Sequence, residues 1–355
     1  MTTTLTPEPV DVHRELYGAQ LPSWGPRAVI GGALLIAAAL YFGIGINLML
    51  AALVAFVVSM MLPVWSVAVE GRRKATDRMI TVLVTSSFVL AMFPLVSILY
   101  TVISNGTRVL SAEFFSYSMR NVVGEGGGIY HALMGTLLIT GAATVISVPI
   151  GLFAAIYLVE YADGNRLSRW IRFLVDVMTG IPSIVAGLFA YALFVLFFGE
   201  GVRMGIGGSV ALAVLMIPVV VRSTEEMLKL VPNELREASY ALGVPKWRTV
   251  AKVVLPTALA GIVTGITLAI ARVIGETAPL LIIAGTTDSV NFNLFDGRMA
   301  TLPVFAYSSI RSPGVPPEFS IDRAWGAAFT LLLIVMLLNL IARLVSHFFS
   351  PKGER

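Results

Sequence analysis

The chain has 355 residues, of which 57% are hydrophobic and 13% charged, and its mean hydropathy is +0.85. A soluble protein carries roughly 25% charged residues, so the composition excludes a water-soluble globular domain and puts the chain in lipid. The net charge of +4 is no nucleic-acid signature, because the positions of the basic residues explain its sign. Zero cysteines exclude disulfides, iron–sulfur clusters and thiol zinc sites. The three histidines, His13, His131 and His347, are scattered without ligand spacing, so neither a metal nor a cofactor is expected.

Residues 1–27 are polar, proline-punctuated and of mixed charge, with no short apolar core and cleavage site, and read as a disordered cytoplasmic tail. A helix needs about 20 apolar residues to cross about 30 Å of hydrocarbon. The apolar segments that follow are 28–42, 46–69, 78–104, 130–159, 171–198, 207–222, 257–284 and 324–347. The first is short, yet 28–69 is too long for one span, and Gly43-Ile44-Gly45-Ile46-Asn47 supplies a turn. The predicted fold is therefore all-α and polytopic, with eight spans, the first two forming a hairpin.

Lysine and arginine placement sets the orientation. The segments 1–27, 70–78, 160–172, 222–252 and 343–355 hold 18 basic residues, and the alternate set holds 6. Both termini and the 223–256 loop are thus expected in the cytoplasm. Pro94, Pro149, Pro182, Pro218 and Pro279 fall inside spans and mark bends or kinks facing protein or a cavity. Gly180-Ile181-Pro182-Ser183 is the strongest expected break. Gly261 and Gly265 form a small face suited to close helix contact.

No Gly-x4-Gly-Lys-Ser/Thr phosphate loop occurs, so nucleotide hydrolysis by that route is not expected of this chain, which does not read as an enzyme. Arg272 and Glu276 lie four residues apart in the seventh predicted span, on one face if the helix is continuous. Arg272 falls near the midplane, where a charge costs at least about 3 kcal/mol. Two readings stay open: an intrahelical ion pair that lowers its own desolvation cost, or a contact with a polar solute. A guanidinium suits an oxyanion through its planar donor fork. Glu276 would then orient Arg272 and keep it from holding the anion too tightly, Thr277 offers a hydroxyl, and Ser183 lies where a helix break frees backbone donors. Asp176, four residues after Arg172 and close to the cytoplasmic end, reads as a local salt bridge.

Residues 223–256 are the one long polar helical stretch. Glu237-Ala238-Ser239 is followed after three residues by Gly243, and nine residues later by Val253-Val254-Leu255-Pro256. This resembles the cytoplasmic loop of ATP-binding-cassette importer permeases, with Ser239 in place of Ala and Val253 in place of Ile. The stretches 147–162, 172–191 and 271–285, the last containing Gly-Glu-Thr-Ala-Pro, resemble the PstA-type permeases of phosphate-specific importers. The resemblance covers 78–348 and implies a six-span type I importer permease core, to which 28–69 adds a hairpin. It also implies that Glu237, Ala238, Gly243, Leu255 and Pro256 belong to a coupling segment docking on a separate ATPase. Its expected partners are a PstC-type sister permease, a PstB-type ATPase homodimer and an external PstS-type phosphate-binding protein, in a bacterial plasma or inner membrane. Alternatives are a sulfate or molybdate permease, an ion-driven secondary anion transporter, or a component that reports phosphate supply to a sensor.

Overall fold

The computed structural model describes residues 20–162 and 164–349; His13 and most of the expected tail lie outside them. The described residues are helical and loop, with no strand among them. Lipid offers no partner for a free N–H or C=O, so a chain this apolar closes its backbone hydrogen bonds within helices. Two compact units result, Met1–Leu99 and Tyr100–Arg355.

In the first unit, α1 (Gly25–Ala39) continues as a π-helical turn through Ile44. The expected turn follows: Gly45 takes the left-handed conformation at φ 71°, and Asn47 caps α2 (Leu48–Ser59) by accepting the Leu50 N–H at 2.9 Å. Such a cap contributes about 1 kcal/mol. The first span is thus 20 residues, Gly25–Ile44, longer than the 15 read from hydropathy. α3 (Met61–Glu70) extends the second span, and a single residue, Gly71, separates it from α4 (Arg72–Gly106). The basic segment expected as a loop is helical. It is tied down by Glu70, whose buried carboxylate accepts from Arg78 Nε at 2.6 Å, Ser66 Oγ at 2.7 Å and the Leu21 N–H at 3.0 Å.

The second unit is built around α6 (Tyr130–Ile156) and α9 (Gly205–Lys229). Ile139 and Ala143 of α6 pack with Leu212, Met216 and Val220 of α9, and with Ala269 and Val273 of α12 (Leu255–Val273). A Cβ on Gly151 would stand 2.7 Å from the Val220 side chain, so its absence lets α6 and α9 approach. Gly261 and Gly265 play the expected part on α12, facing Met227 and Ser223 of α9. Outside these lie α5 (Ala112–Ser116), α14 (Leu302–Arg311) and α15 (Pro317–Phe349); α14 is a helix within what hydropathy marks as a connection.

Two predicted spans are not continuous. Residues 171–198 divide into α7 (Arg166–Thr179) and α8 (Ser183–Phe198), bent by 110° at the expected Gly180–Pro182 break. Asn165 caps α7, and Leu167, Trp170, Leu174 and Val177 stay exposed along it. Residues 257–284 divide into α12 and the short α13 (Ala278–Ile283). Pro94, Pro149 and Pro218 sit inside unbroken helices, whereas Pro182 and Pro279 stand at the starts of α8 and α13. Seven helices among the described residues are long and apolar enough to cross a membrane, or up to eight with the bent pair.

Candidate functional site

The two broken spans lie against each other. Gly187 of α8 meets Pro279 of α13, where a Cβ would stand 2.5 Å from the proline Cα. One turn or two further on, Ala190 and Phe194 share a cluster with Ile283. The helices therefore run side by side in the same sense, and both begin at the same end of the pair. Ser183 is the first residue of α8 and Thr277 immediately precedes α13, so the breaks at 180–182 and 274–277 lie at the same end of the pair. Neither helix start has a side-chain cap.

Arg272 stands in the last turn of α12 and is exposed; Glu276 and Thr277 are half-buried. The reading of Arg272 and Glu276 as neighbours on one helical face is corrected. α12 ends at Val273, the Glu276 N–H bonds to the Val273 carbonyl at 3.1 Å, and the chain then turns into α13. The i,i+4 spacing places side chains together only while the helix continues. Among the described residues Arg272 has no carboxylate within ion-pair distance. Its charge adjoins the helix C-terminus, where the backbone dipole favours a cation.

Asp176 also finds a different partner from the one expected. It pairs with Arg222 of α9, while Arg172 reaches Glu225 at 3.4 Å and Lys229 reaches the same carboxylate at 2.8 Å. The Asp176–Arg222 pair is exposed on both sides, worth about 0–1 kcal/mol, whereas the Glu225 carboxylate is largely buried and its two cations stay half exposed.

The polar stretch 223–256 begins as the end of α9 and then forms two short helices, α10 (Asn233–Ala241) and α11 (Lys246–Thr249). Gly243 joins them at φ +75°, a left-handed position that an L side chain occupies only with strain. Ser239, the departure from alanine in the motif, is buried, and its hydroxyl lies 2.8 Å from that of Thr249. The two helices are thereby fixed across the turn. Between them runs a groove of about 360 Å³ lined by residues including Leu235, Ala238, Leu242, Val244 and Arg248. Glu237 and Ala238 are exposed; Leu255 and Pro256 begin α12 after a π-helical turn, Val250–Val254.

Sequence reasoning missed the anchor of this loop. Arg236 donates to Glu160 Oε1 at 2.8 Å and to the Val231 and Leu228 carbonyls at 2.6 and 2.9 Å. Glu160 belongs to the π-helical turn Tyr157–Tyr161 that ends α6, and Lys246 lies over the Tyr161 ring at 5.2 Å. The signal was a lone acid closing an apolar run, opposite an arginine 76 residues away. Spacing alone could not pair them.

A membrane-embedded helical bundle with two broken spans and a knob of short helices bearing an exposed groove is the frame of a transport subunit. The chain belongs to the family of binding-protein-dependent transport system inner membrane components, whose model matches residues 147–354. It is a multi-pass membrane protein with the type I importer permease fold. Over 80% of its length it is 47% identical to phosphate transport system permease protein PstA 1 of Mycobacterium tuberculosis, covering 91% of that protein. It is 40% identical to the PstA permease of Pasteurella multocida over 79% of this chain and 97% of that protein. Within the family it is a PstA-type permease. A solved structure of the MetNI methionine transporter in inward-facing form shares the fold at a TM-score of 0.50 and 19% identity, over 68% of this chain and 100% of that one.

Proposed function

We propose that this chain is the permease subunit of an importer that conducts inorganic phosphate into the cytoplasm, driven by ATP hydrolysis in a separate subunit. It carries no catalytic residues of its own in this reading. The observation that carries it is the join of two features: relatives named as phosphate permeases and an arginine, without an ion-pair partner among the described residues, just before a helix break. The anion passes Arg272, whose fork grips two oxygens, while Glu276 weakens the hold so that the ion can leave. Thr277, Ser183 and the uncapped start of α8 add neutral donors, and the dipole there also favours an anion. Kinked and broken helices beside such a charge supply the two arrangements that alternating access needs.

The coupling segment is the Glu237–Gly243 knob, with Leu255 and Pro256 transmitting its movement into α12. Its groove and its exposed Leu242 and Trp247 suit an apolar ridge of the ATPase. Partners are a PstC-type sister permease, two copies of a PstB-type ATPase and a PstS-type external phosphate-binding protein. Both termini and the knob are cytoplasmic, as the basic residues require. Residues 28–69 form a hairpin added to a core over 78–348, following the tail 1–27.

The test is to purify the chain with its partners, reconstitute them and ask which anion, loaded on the binding protein, stimulates ATP hydrolysis. Phosphate stimulation supports the reading. Stimulation by sulfate or molybdate alone, or uptake driven by an ion gradient without ATP, overturns it.

A further inference from the structure

The far end of α13 carries a second cationic feature. Three stretches of chain are pinned together there: the Met204 N–H bonds to the Ile283 carbonyl at 3.0 Å, Met299 to Ala284 at 3.1 Å and Ile206 to Leu294 at 2.7 Å. The residues just before the donors Met204 and Met299 are Arg203 and Arg298. Their stems converge on Gly285, which is buried and sits at φ +74°. A Cβ built on Gly285 would lie 3.0 Å from Arg203 Cδ and 3.4 Å from Arg298 Cδ. Both arginines are exposed. Glu200, Asp288 and Asp296 lie in the flanking loops, yet among the described residues no carboxylate pairs with either guanidinium.

Two side chains of like charge whose stems rest on one glycine, with no carboxylate at ion-pair distance among the described residues, repel each other where their heads come close, and a shared anion turns that repulsion into attraction. Guanidinium forks are suited to sharing one tetrahedral oxyanion, each through two donors. The feature is also joined to the path. α13 has the Arg272 break at its start and Gly285 just past its end, roughly 12 Å apart at 1.5 Å per residue. Conduction favours several weak stations over one strong one, so that entry is favourable and exit is not blocked.

We propose that Arg203 and Arg298 form a receiving site for phosphate at the outer mouth, from which the anion passes along α13 to Arg272. This rests on the phosphate-importer reading given above. The site is shared, so losing either arginine removes most of its effect. It sets the rate of transfer into the path and leaves the docking of the external binding protein alone.

The experiment uses the full complex in proteoliposomes with its binding protein, and measures initial phosphate uptake against binding-protein concentration. Arg203→Gln and Arg298→Gln should each lower the maximal rate about threefold to tenfold, with the half-saturating binding-protein concentration unchanged. The double variant should be little worse than the worse single, and Arg→Lys at either position should recover part of the loss. Both side chains are exposed, so the subunits should co-purify normally. Wild-type uptake in the double variant overturns the site. So does a raised half-saturating concentration at an unchanged maximal rate, which would make the arginines a docking contact for carboxylates of the binding protein. Failure of the unmutated complex to move phosphate sinks the importer reading itself, and the site with it; loss of effect in the variants alone sinks only the site.

Discussion

Replacing Arg236 by alanine should detach the coupling knob from the membrane helices. The Arg236 and Glu160 side chains are only 13% and 4% exposed, so the pair is not a surface ion pair. The substitution leaves a buried carboxylate without its partner and takes a donor from two carbonyls, at Val231 and Leu228. Breaking a buried pair on one side costs about 3–5 kcal/mol. Glu160→Gln keeps an acceptor facing the guanidinium and should cost less, about 1–3 kcal/mol. A double replacement by apolar side chains of similar volume, Glu160→Leu with Arg236→Met, should recover much of the single loss, because no buried charge remains. The assay is thermal denaturation of the purified complex in detergent, with limited proteolysis across 229–246 and ATPase activity measured alongside. The expected order of stability is wild type, then Glu160→Gln or the double variant, then Arg236→Ala, which should also be cleaved fastest and hydrolyse ATP without transport. An Arg236→Ala complex as stable and as well coupled as wild type would refute the argument. A double variant that is merely the sum of two losses would refute it equally.

Arg272→Gln keeps size and some donors but removes the charge. It should abolish or strongly reduce uptake while assembly survives, with Arg272→Lys recovering only part; uptake at the wild-type rate would make the residue structural. Gly243→Asp forces a side chain into the left-handed turn at a cost of roughly 1–2 kcal/mol. Pull-down should show weakened ATPase binding with the membrane fold intact. Ser239→Ala loses the hydroxyl contact with Thr249, about 1 kcal/mol, and should loosen α10 against α11, seen as faster amide exchange at 239–249, whereas Thr249→Val on that background should add little. A reporter fused after Asn105 should be external and one after Lys74 or Lys229 cytoplasmic. Deletion of 1–69 should leave the remaining spans inserted in the same sense, and an inverted product would show that the hairpin sets the topology.

Much of this molecule was legible in its residues. Apolar run length located the spans, because the thickness of the hydrocarbon layer is a constant that any sequence must meet. Glycine and proline located the breaks at 43–47 and 180–182, because their backbone preferences are local. The polar stretch 223–256 stood out by its contrast with everything around it, and it folds as two short helices joined at Gly243. The two mistaken pairings have one origin. Arg272 with Glu276, and Arg172 with Asp176, were paired by helical spacing, which presumes that the helix continues and that no neighbour offers more.

The sequence by itself determined that the chain is helical and apolar enough to lie in a membrane, and the number of apolar helices to within the one bent pair, since each follows from composition and local periodicity. Tertiary structure alone decided the partners. Glu160 meets Arg236 across 76 positions, Asp176 meets Arg222, the stems of Arg203 and Arg298 both rest near Gly285, and the two broken spans lie side by side. Each of these depends on which helix faces touch, a question settled by close packing at glycines such as Gly151, Gly187 and Gly265, and packing is a property of several segments at once that no single stretch of chain encodes.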